Sequence, residues 1–397
     1  MRKLHSTSVA VALTTILGSG SLAHAATPES TASEADPGQL EEIVVTAQKR
    51  SQSIQEVPLS IMAMNADMME KANVVNAQDL PRLVPNLRVD RFGQSAATVI
   101  RIRGVGAAGN SAIDPSVAPF IDGAYVARPG VILSSFLDVA SVEVLRGPQG
   151  TLFGRNATAG AVQINTNAPS FNGVEGELAA EYGNRGSYLA RGVVNAPVGA
   201  NFALRFAGVA DGHDGYYHNA LDGRDWGDRK SAAGRISARW RVTDNADWVL
   251  RIDYAKLGGD GSAPSEVNSD TATAAQLSAL TARLAAFGST APDFRDSTDG
   301  NVNNYLVGDL DDKQAGVTSD LNWNLASGYR VRWIASHREW KNSQFDGDVV
   351  LLPISLVSRH GSFKSNSSSQ EIQFISPKSG LLGGHFDYVA GLYYFSE

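Results

Sequence analysis

The chain contains no cysteine. Disulfides and thiolate metal sites are therefore excluded, and a protein that crosses an oxidising periplasm before folding loses nothing by lacking thiols. Histidine is scarce too: none lies between His24 and His213, so the first half carries no Ser/His/Asp set. After residue 17 no apolar run approaches the eighteen or so residues of a membrane helix. Any part that sits in a membrane must then be a closed barrel. Tryptophan is missing before position 226, and all six (226, 240, 248, 323, 333, 340) fall in the second half. A formal charge of −7 over 397 residues is mild and argues against a nucleic-acid binder.

What is present begins at the N-terminus. Arg2 and Lys3 precede an apolar run at 9–17 ("VAVALTTIL"), and Ala23-His24-Ala25 offers an A-x-A cleavage site. This is the plan of a secretory signal peptide over 1–25. Residues 26–40, rich in Ser, Thr, Glu and Pro, read as a disordered leader.

From about residue 174 one pattern recurs. "VEGELAAEY" sets Val174, Leu178, Ala180 and Tyr182 against Glu175, Glu177 and Glu181. "GRISARWRV" sets Ile236, Ala238, Trp240 and Val242 against Arg235, Ser237, Arg239 and Arg241. Period-two alternation of this kind marks strands with one polar and one apolar face. Nine strands are expected, at roughly 173–183, 187–197, 201–212, 231–242, 247–257, 314–325, 329–340, 367–376 and 386–396. The connections alternate: short after the second, fourth, sixth and eighth strands, long after the third, fifth and seventh. That is the rhythm of an outer-membrane barrel, with short periplasmic turns and long outer loops. Trp240 and Trp248 flank one short turn, and Trp323 and Trp333 another, where interfacial aromatics belong. A soluble β-sandwich is the alternative. Bacterial barrels have even strand numbers, so nine strands are expected to be part of a larger set.

Between 48 and 167 the pattern is mixed α/β. A strand is expected at 57–64, a helix at 65–71 with Asn65 as N-cap, a short helix at 76–83, and strands at 98–103, 117–121, 141–145 and 161–165. The stretch "TVIRIRGVGAAG" (98–109) satisfies G-x-G-x-x-G after a strand, with Asp122 downstream. A dinucleotide site requires a helix next, however, and "NSAIDPSVAP" with Pro115 and Pro119 does not form one. The glycines are expected to turn a strand sharply into a loop.

Four segments carry a family likeness: "EEIVVTAQKR" (41–50), "VIRIRGVG" (99–106), "APFIDGAYV" (118–126) and "VEVLRGPQGTLFGRNATAGAVQINT" (142–166). Together they resemble the plug domain of TonB-dependent outer-membrane receptors. The resemblance implies an α+β plug followed by antiparallel transmembrane barrel strands, nine of the 22 such a barrel has. It divides the chain into a signal peptide (1–25), a leader with TonB box (26–48), a plug (49–168) and the first part of the barrel (169–397). Glu42, Ile43, Val44, Val45, Thr46 and Ala47 match the TonB box, an extended segment able to add as a strand to a partner's sheet edge. Arg103 and Arg146 match the plug arginines that engage acidic residues of the barrel wall. Asn110, Tyr125 and Arg128 fall in plug loops that face substrate. The implied activity is TonB-dependent import of a scarce ligand, a ferric siderophore foremost, by a monomer in the Gram-negative outer membrane. The implied partners are TonB with its inner-membrane energising complex and a small iron chelate, with no catalysis, cofactor or resident metal. The alternatives are a sensory receptor that signals to a periplasmic partner and an exported β-sandwich binding protein or enzyme.

Two weaker signals remain. His213, His218, Asp222, Asp225 and Asp228 could ligate calcium or form a solvated outer loop. Leu277, Leu280, Leu284 and Phe287 fall on one face of a helix in the longest loop.

Overall fold

The computed structural model describes residues 44–46, 48–50, 52–91, 95–107, 113–134, 136–219, 221–260, 273–288, 301–302, 308–348, 357–377 and 386–397. The expected signal peptide and leader lie outside the described residues, as do Glu42, Ile43, Ala47 and Asn110.

The first module holds strands β1 (Val44–Val45), β2 (Gln52–Ser53), β3 (Ile61–Asn65), β4 (Leu87–Arg91), β5 (Thr98–Ile102), β6 (Val117–Ile121), β7 (Ala124–Tyr125), β8 (Val139–Arg146) and β9 (Gly160–Thr166), with helices α1 (Ala66–Lys71) and α2 (Gly150–Phe153). Its main sheet has the order β3-β8-β9-β6-β7; β6 and β9 run parallel and the other neighbours antiparallel. Strands β4 and β5 form a separate ribbon. Asn65 caps α1 as expected, its side chain accepting from Met68 N at 2.9 Å. The expected helix at 76–83 is only a 3₁₀ turn, Leu80–Arg82. Pro81 supplies no N–H there, and the Asp79 carboxylate instead takes the amides of Val75 and Asn76. Met64, Leu80, Ile100, Ile102, Val142, Val144 and Val162 fill the core.

Both glycine signals resolve into two-residue hairpin turns. Arg103 (φ 53°) and Gly104 (φ 79°) link Ile102 to Val105, which exchange both backbone hydrogen bonds. Gly106 then passes so close to β5 that a Cβ would lie 2.8 Å from the Ile100 carbonyl oxygen. Asp122 (φ 52°) and Gly123 (φ 82°) join β6 to β7 in the same way. Neither turn opens directly into a helix among the described residues: Val105 bridges back to Ile102, and β7 follows Gly123.

The second module is a nine-stranded antiparallel meander: β10 (Glu175–Tyr182), β11 (Tyr188–Pro197), β12 (Phe202–His213), β15 (Arg229–Thr243), β16 (Ala246–Gly259), β18 (Asp309–Asn324), β19 (Arg330–Asp348), β20 (Ser358–Ile375) and β21 (Val389–Ser396). Short strands β13 (Tyr217–Asn219), β14 (Asp225–Trp226) and β17 (Asn301–Val302) pair with one another in the long loops. The loop helix α3 (Ala274–Ala286) opens on a Thr273/Gln276 capping box. All nine expected strands are present, but three run further than the apolar stripe shows: β18 starts at Asp309, β19 ends at Asp348 and β20 starts at Ser358. Those extensions lack a continuous apolar stripe; ladder pairing carries them together with scattered inward contacts such as buried Leu310 and the Asn342–Asp312 hydrogen bond.

Register decides what the sheet faces. Val194, Phe206, Ile236, Ile252 and Val317 stand opposite one another across five strands and are 42–51% exposed. One position along, Ser237, Arg251 and Thr318 stand opposite one another and are 2–6% exposed. Apolar side chains face out and polar ones face in, the inverse of a soluble sandwich and the pattern of a membrane barrel with a polar lumen. Trp240 and Trp248 meet across one short turn, ring centroids 6.4 Å apart, and Tyr329 stacks on Phe374 at 5.0 Å beside another.

Candidate functional site

Of the segment resembling the TonB box, residues 44–46 are described; Val44 and Val45 form an extended strand held against the plug. Val44 pairs with Ser53 and Val45 with Gln52, and Val45 is fully buried. Thr46 N donates to both Glu143 carboxylate oxygens (3.0 and 3.1 Å), and its hydroxyl donates to Glu143 Oε1 at 3.0 Å. That hydroxyl accepts from Gln163 Nε2, while Asn165 Nδ2 donates to Glu143 Oε1 at 3.1 Å. Glu143 projects from the middle of β8 between Val142 and Val144 and is 1% exposed. Burial pushes its carboxyl above the ordinary glutamate range, against the opposing pull of the Thr46 and Asn165 hydrogen bonds.

Immediately downstream the chain is fastened to the barrel. Lys49 Nζ lies 3.4 Å from Glu371 and 4.9 Å from the Phe153 ring centroid. Arg50 donates to Asp387 (2.8 Å), Ser376 Oγ (3.0 Å) and the Tyr388 carbonyl (2.8 Å). Arg330 donates to the Lys49 carbonyl. Arg330, Ser376, Asp387 and Tyr388 all border short turns, so Lys49 and Arg50 lie at the short-turn end of the barrel.

The plug meets the wall mainly through polar contacts. Asp138 takes a two-pronged contact from Arg205 of β12 at 2.6 and 2.7 Å, plus a hydrogen bond from Asn167 at 2.8 Å. Asp122 accepts from Thr166 N at 2.8 Å and lies 3.4 Å from Arg251 of β16. Its burial would raise the carboxyl, but Arg251, Arg235 and the Thr166 hydrogen bonds outweigh that and hold it below the ordinary aspartate value. Arg191 reaches Glu70, Arg235 donates to the Leu137 carbonyl, and Gln344 accepts from Ser95 N.

In these pairs the arginines come from the wall and the acids from the plug, whereas Lys49, Arg50 and Arg128 bring plug cations to the wall carboxylates Glu371, Asp387 and Glu397. Of the expected latch residues, Arg103 donates to Ser60 Oγ at 3.2 Å, and Arg146 N donates to the Ser60 carbonyl. The Arg146 contact is a backbone bond that continues the β3–β8 ladder, and Arg146 Nε is buried with no hydrogen-bond partner among the described residues. Neither makes an ion pair with a barrel carboxylate among the described residues.

Tyr125, expected in a substrate-facing loop, lies on strand β7. It is 6% exposed, set edge-on between Phe120 (5.7 Å) and Phe395 (5.4 Å), with its hydroxyl accepting from Asn156 Nδ2. The Asp122-Gly123 turn folds β7 back onto β6, which carries Tyr125 inward. Arg128 is tied to the wall region by Glu397, at 2.6 and 2.9 Å. In the outer loop, His218 pairs with Asp225, Asp222 with Arg224 and Asp228 with Lys230. No three ligating side chains gather into a metal site among the described residues.

Sequence reasoning missed Lys49, Arg50, Asp122, Asp138, Glu143, Arg205 and Arg251. One signal was available for Glu143: a lone charge inside the run "VEVL" must have a buried partner.

Residues 53–161 match the TonB-dependent Receptor Plug Domain. Over 213 residues the chain is 30% identical to the pesticin receptor of Yersinia pestis, covering 52% of this chain and 31% of that protein. Over 128 residues it is 30% identical to the hemin receptor of Yersinia enterocolitica, covering 31% of this chain and 18% of that one. Among solved structures, the ferric yersiniabactin uptake receptor of Yersinia pestis superposes with a TM-score of 0.69 at 20% identity, over 85% of this chain and 48% of that one. The ferripyoverdine receptor of Pseudomonas aeruginosa gives 0.69 at 16% identity, over 89% and 44%. The chain spans about a third of the length of the first curated relatives it matches. A matched plug, receptors among the relatives, and a polar-lined sheet around that plug lead to one conclusion: residues 53–161 are a TonB-dependent receptor plug domain, and the chain shares with those receptors a plug followed by antiparallel barrel strands.

Proposed function

We propose that the protein imports a ferric siderophore across the Gram-negative outer membrane, energised by TonB acting on residues 42–47. The observation that carries this reading is the position of Thr46. Val44 and Val45 are extended, and the downstream neighbours Lys49 and Arg50 grip the wall at the short-turn end of the barrel. A pull on this segment is therefore applied to the plug from the periplasmic side. A relative named for hemin and a structural neighbour named for ferric yersiniabactin support an iron chelate as ligand. Residues 1–25 act as the signal peptide, 26–48 as leader and box, 49–168 as plug and 169–397 as barrel wall. Arg103 and Arg146 are retained as a latch, supported by the buried Arg146 Nε that has no hydrogen-bond partner among the described residues. The protein acts as a monomer and binds no nucleic acid, in keeping with its net charge of −7.

The test is Val45→Pro in cells carrying the full-length protein, offered a panel of radiolabelled iron chelates. Proline removes the amide needed for strand addition. Ligand binding should persist while energy-dependent uptake disappears. Uptake equal to the parent's overturns the reading.

A further inference from the structure

We propose that Glu143 is the retention residue for the box segment: its contact with Thr46 sets how often residues 42–47 come free for capture by a periplasmic partner's sheet edge. This rests on reading 42–47 as the partner-binding segment.

The geometry separates retention from anchoring. Backbone pairing of the box with the plug is short, only Val44↔Ser53 and Val45↔Gln52. The next residue, Thr46, makes three of the four hydrogen bonds that Glu143 accepts, Asn165 making the other. A carboxylate at 1% exposure between two fully buried valines is stable only while donors surround it. When Thr46 leaves, water must take its place at Glu143, and Gln163 loses an acceptor as well. The docked box and the hydrated cavity are thus two discrete states, with Glu143 common to both. The chain between them turns at Lys49 (φ 60°), whose amide donates to the Thr46 carbonyl. From Lys49 onward the side chains hold Glu371, Asp387 and Ser376 on the barrel. Opening at Glu143 therefore frees the box up to the turn and leaves the barrel contacts closed. Burial also raises the Glu143 carboxyl, which marks it as a charge held at a cost.

A chain without cysteine makes the test direct. Val45→Cys introduces a single thiol at a fully buried position, and its labelling by a bulky maleimide in outer-membrane preparations reports opening. Glu143→Ala should raise the labelling rate at least tenfold, and Glu143→Gln by less. Thr46→Val should raise it several-fold and Thr46→Ser little, and Thr46→Val should add nothing in the Glu143→Ala background. Asp387→Asn should leave the rate unchanged. Heat-modifiable migration confirms that each variant is folded. Unchanged labelling in folded Glu143→Ala overturns the proposal, as does an equal rise in Asp387→Asn or additive effects of Thr46→Val and Glu143→Ala. If labelling behaves as expected but the parent shows no TonB-dependent uptake, retention stands and the import reading fails. If uptake is TonB-dependent and labelling does not move, retention alone fails.

Discussion

The Arg205–Asp138 pair allows the hold of the wall on the plug to be measured. Two N–H groups of Arg205 meet the two oxygens of Asp138 at 2.6 and 2.7 Å, with the side chains 15% and 5% exposed. The Lys71–Asp67 pair on α1 is just as short, 2.7 Å, but its side chains are 75% and 64% exposed. Distance cannot tell these pairs apart, so burial must. Breaking a buried pair by removing one partner costs about 3–5 kcal/mol, because the other charge is stranded. The residual exposure of Arg205 argues for the low end, about 3 kcal/mol, or roughly a hundredfold in the docking equilibrium. The variants are Arg205→Met, which keeps an aliphatic stem, and Asp138→Asn. Asparagine is chosen because residue 138 has φ 51°, a conformation asparagine tolerates and alanine does not.

Trp340 supplies the signal. It is 4% exposed and packs on Val126 and Val131 of the plug, which itself contains no tryptophan. Urea unfolding of the purified protein, followed by tryptophan emission with Trp340→Phe as the blank, should give each single variant a loss of about 3 kcal/mol and the pair a coupling of about 2 kcal/mol. The same cycle on Lys71 and Asp67 should show no measurable coupling, as exposed pairs do. Equal coupling in the two cycles, or none at Arg205–Asp138, refutes the claim that buried wall arginines hold the plug.

Two further outcomes follow from the same interface. A Cβ at Gly130 would sit 2.6 Å from the Ser95 carbonyl oxygen and 2.9 Å from Trp340, so Gly130→Ala should cost about 1–3 kcal/mol and shift Trp340 emission, whereas Gly150→Ala, with nothing within 4 Å, should move neither. The carboxyl of Asp122 is held below its ordinary value, so its contribution is present above the unfolded aspartate pKa and disappears as pH falls through the lower folded value. Plug retention should therefore lose nothing from Asp122 between about pH 5 and 8 and fall below about pH 4, an acid limb that Asp122→Asn removes; a wild-type decline already under way at pH 6, absent from that variant, contradicts the assignment.

The barrel was legible because its two faces differ: Ile236 and Trp240 alternate with Arg235 and Arg239, and the stripe marks both strand and facing. Where the stripe fades, as in "DLDD" at the start of β18, the reading stopped five residues short. The plug's motifs announced a family, yet the contacts that hold the plug were hidden. Asp138 and Arg205 are 67 residues apart, and neither alone names the other as partner; only barrel register brings Arg205 to that height. Tyr125 went astray for a more local reason. "IDGAY" contains an Asp-Gly hairpin turn that reverses the chain at Gly123, so the tyrosine two residues later points back toward Phe120.

The mixture of contacts fits a domain that must both stay and move. Apolar contact between plug and wall centres on Leu257, Leu310, Trp340 and the Tyr125–Phe395 pair. Elsewhere the interface consists mainly of charged side chains, glutamine and backbone carbonyls, groups that lumen water can satisfy once they separate. An apolar interface would expose its full area on opening and charge the whole hydrophobic cost. A polar one exchanges protein donors for water donors, and its net free energy is the smaller difference between them. Individually strong pairs such as Arg205–Asp138 can then set the position of the plug without making its displacement prohibitive. The same logic applies at Thr46, where a single carboxylate holds a segment whose release leaves a wettable cavity and not an apolar one.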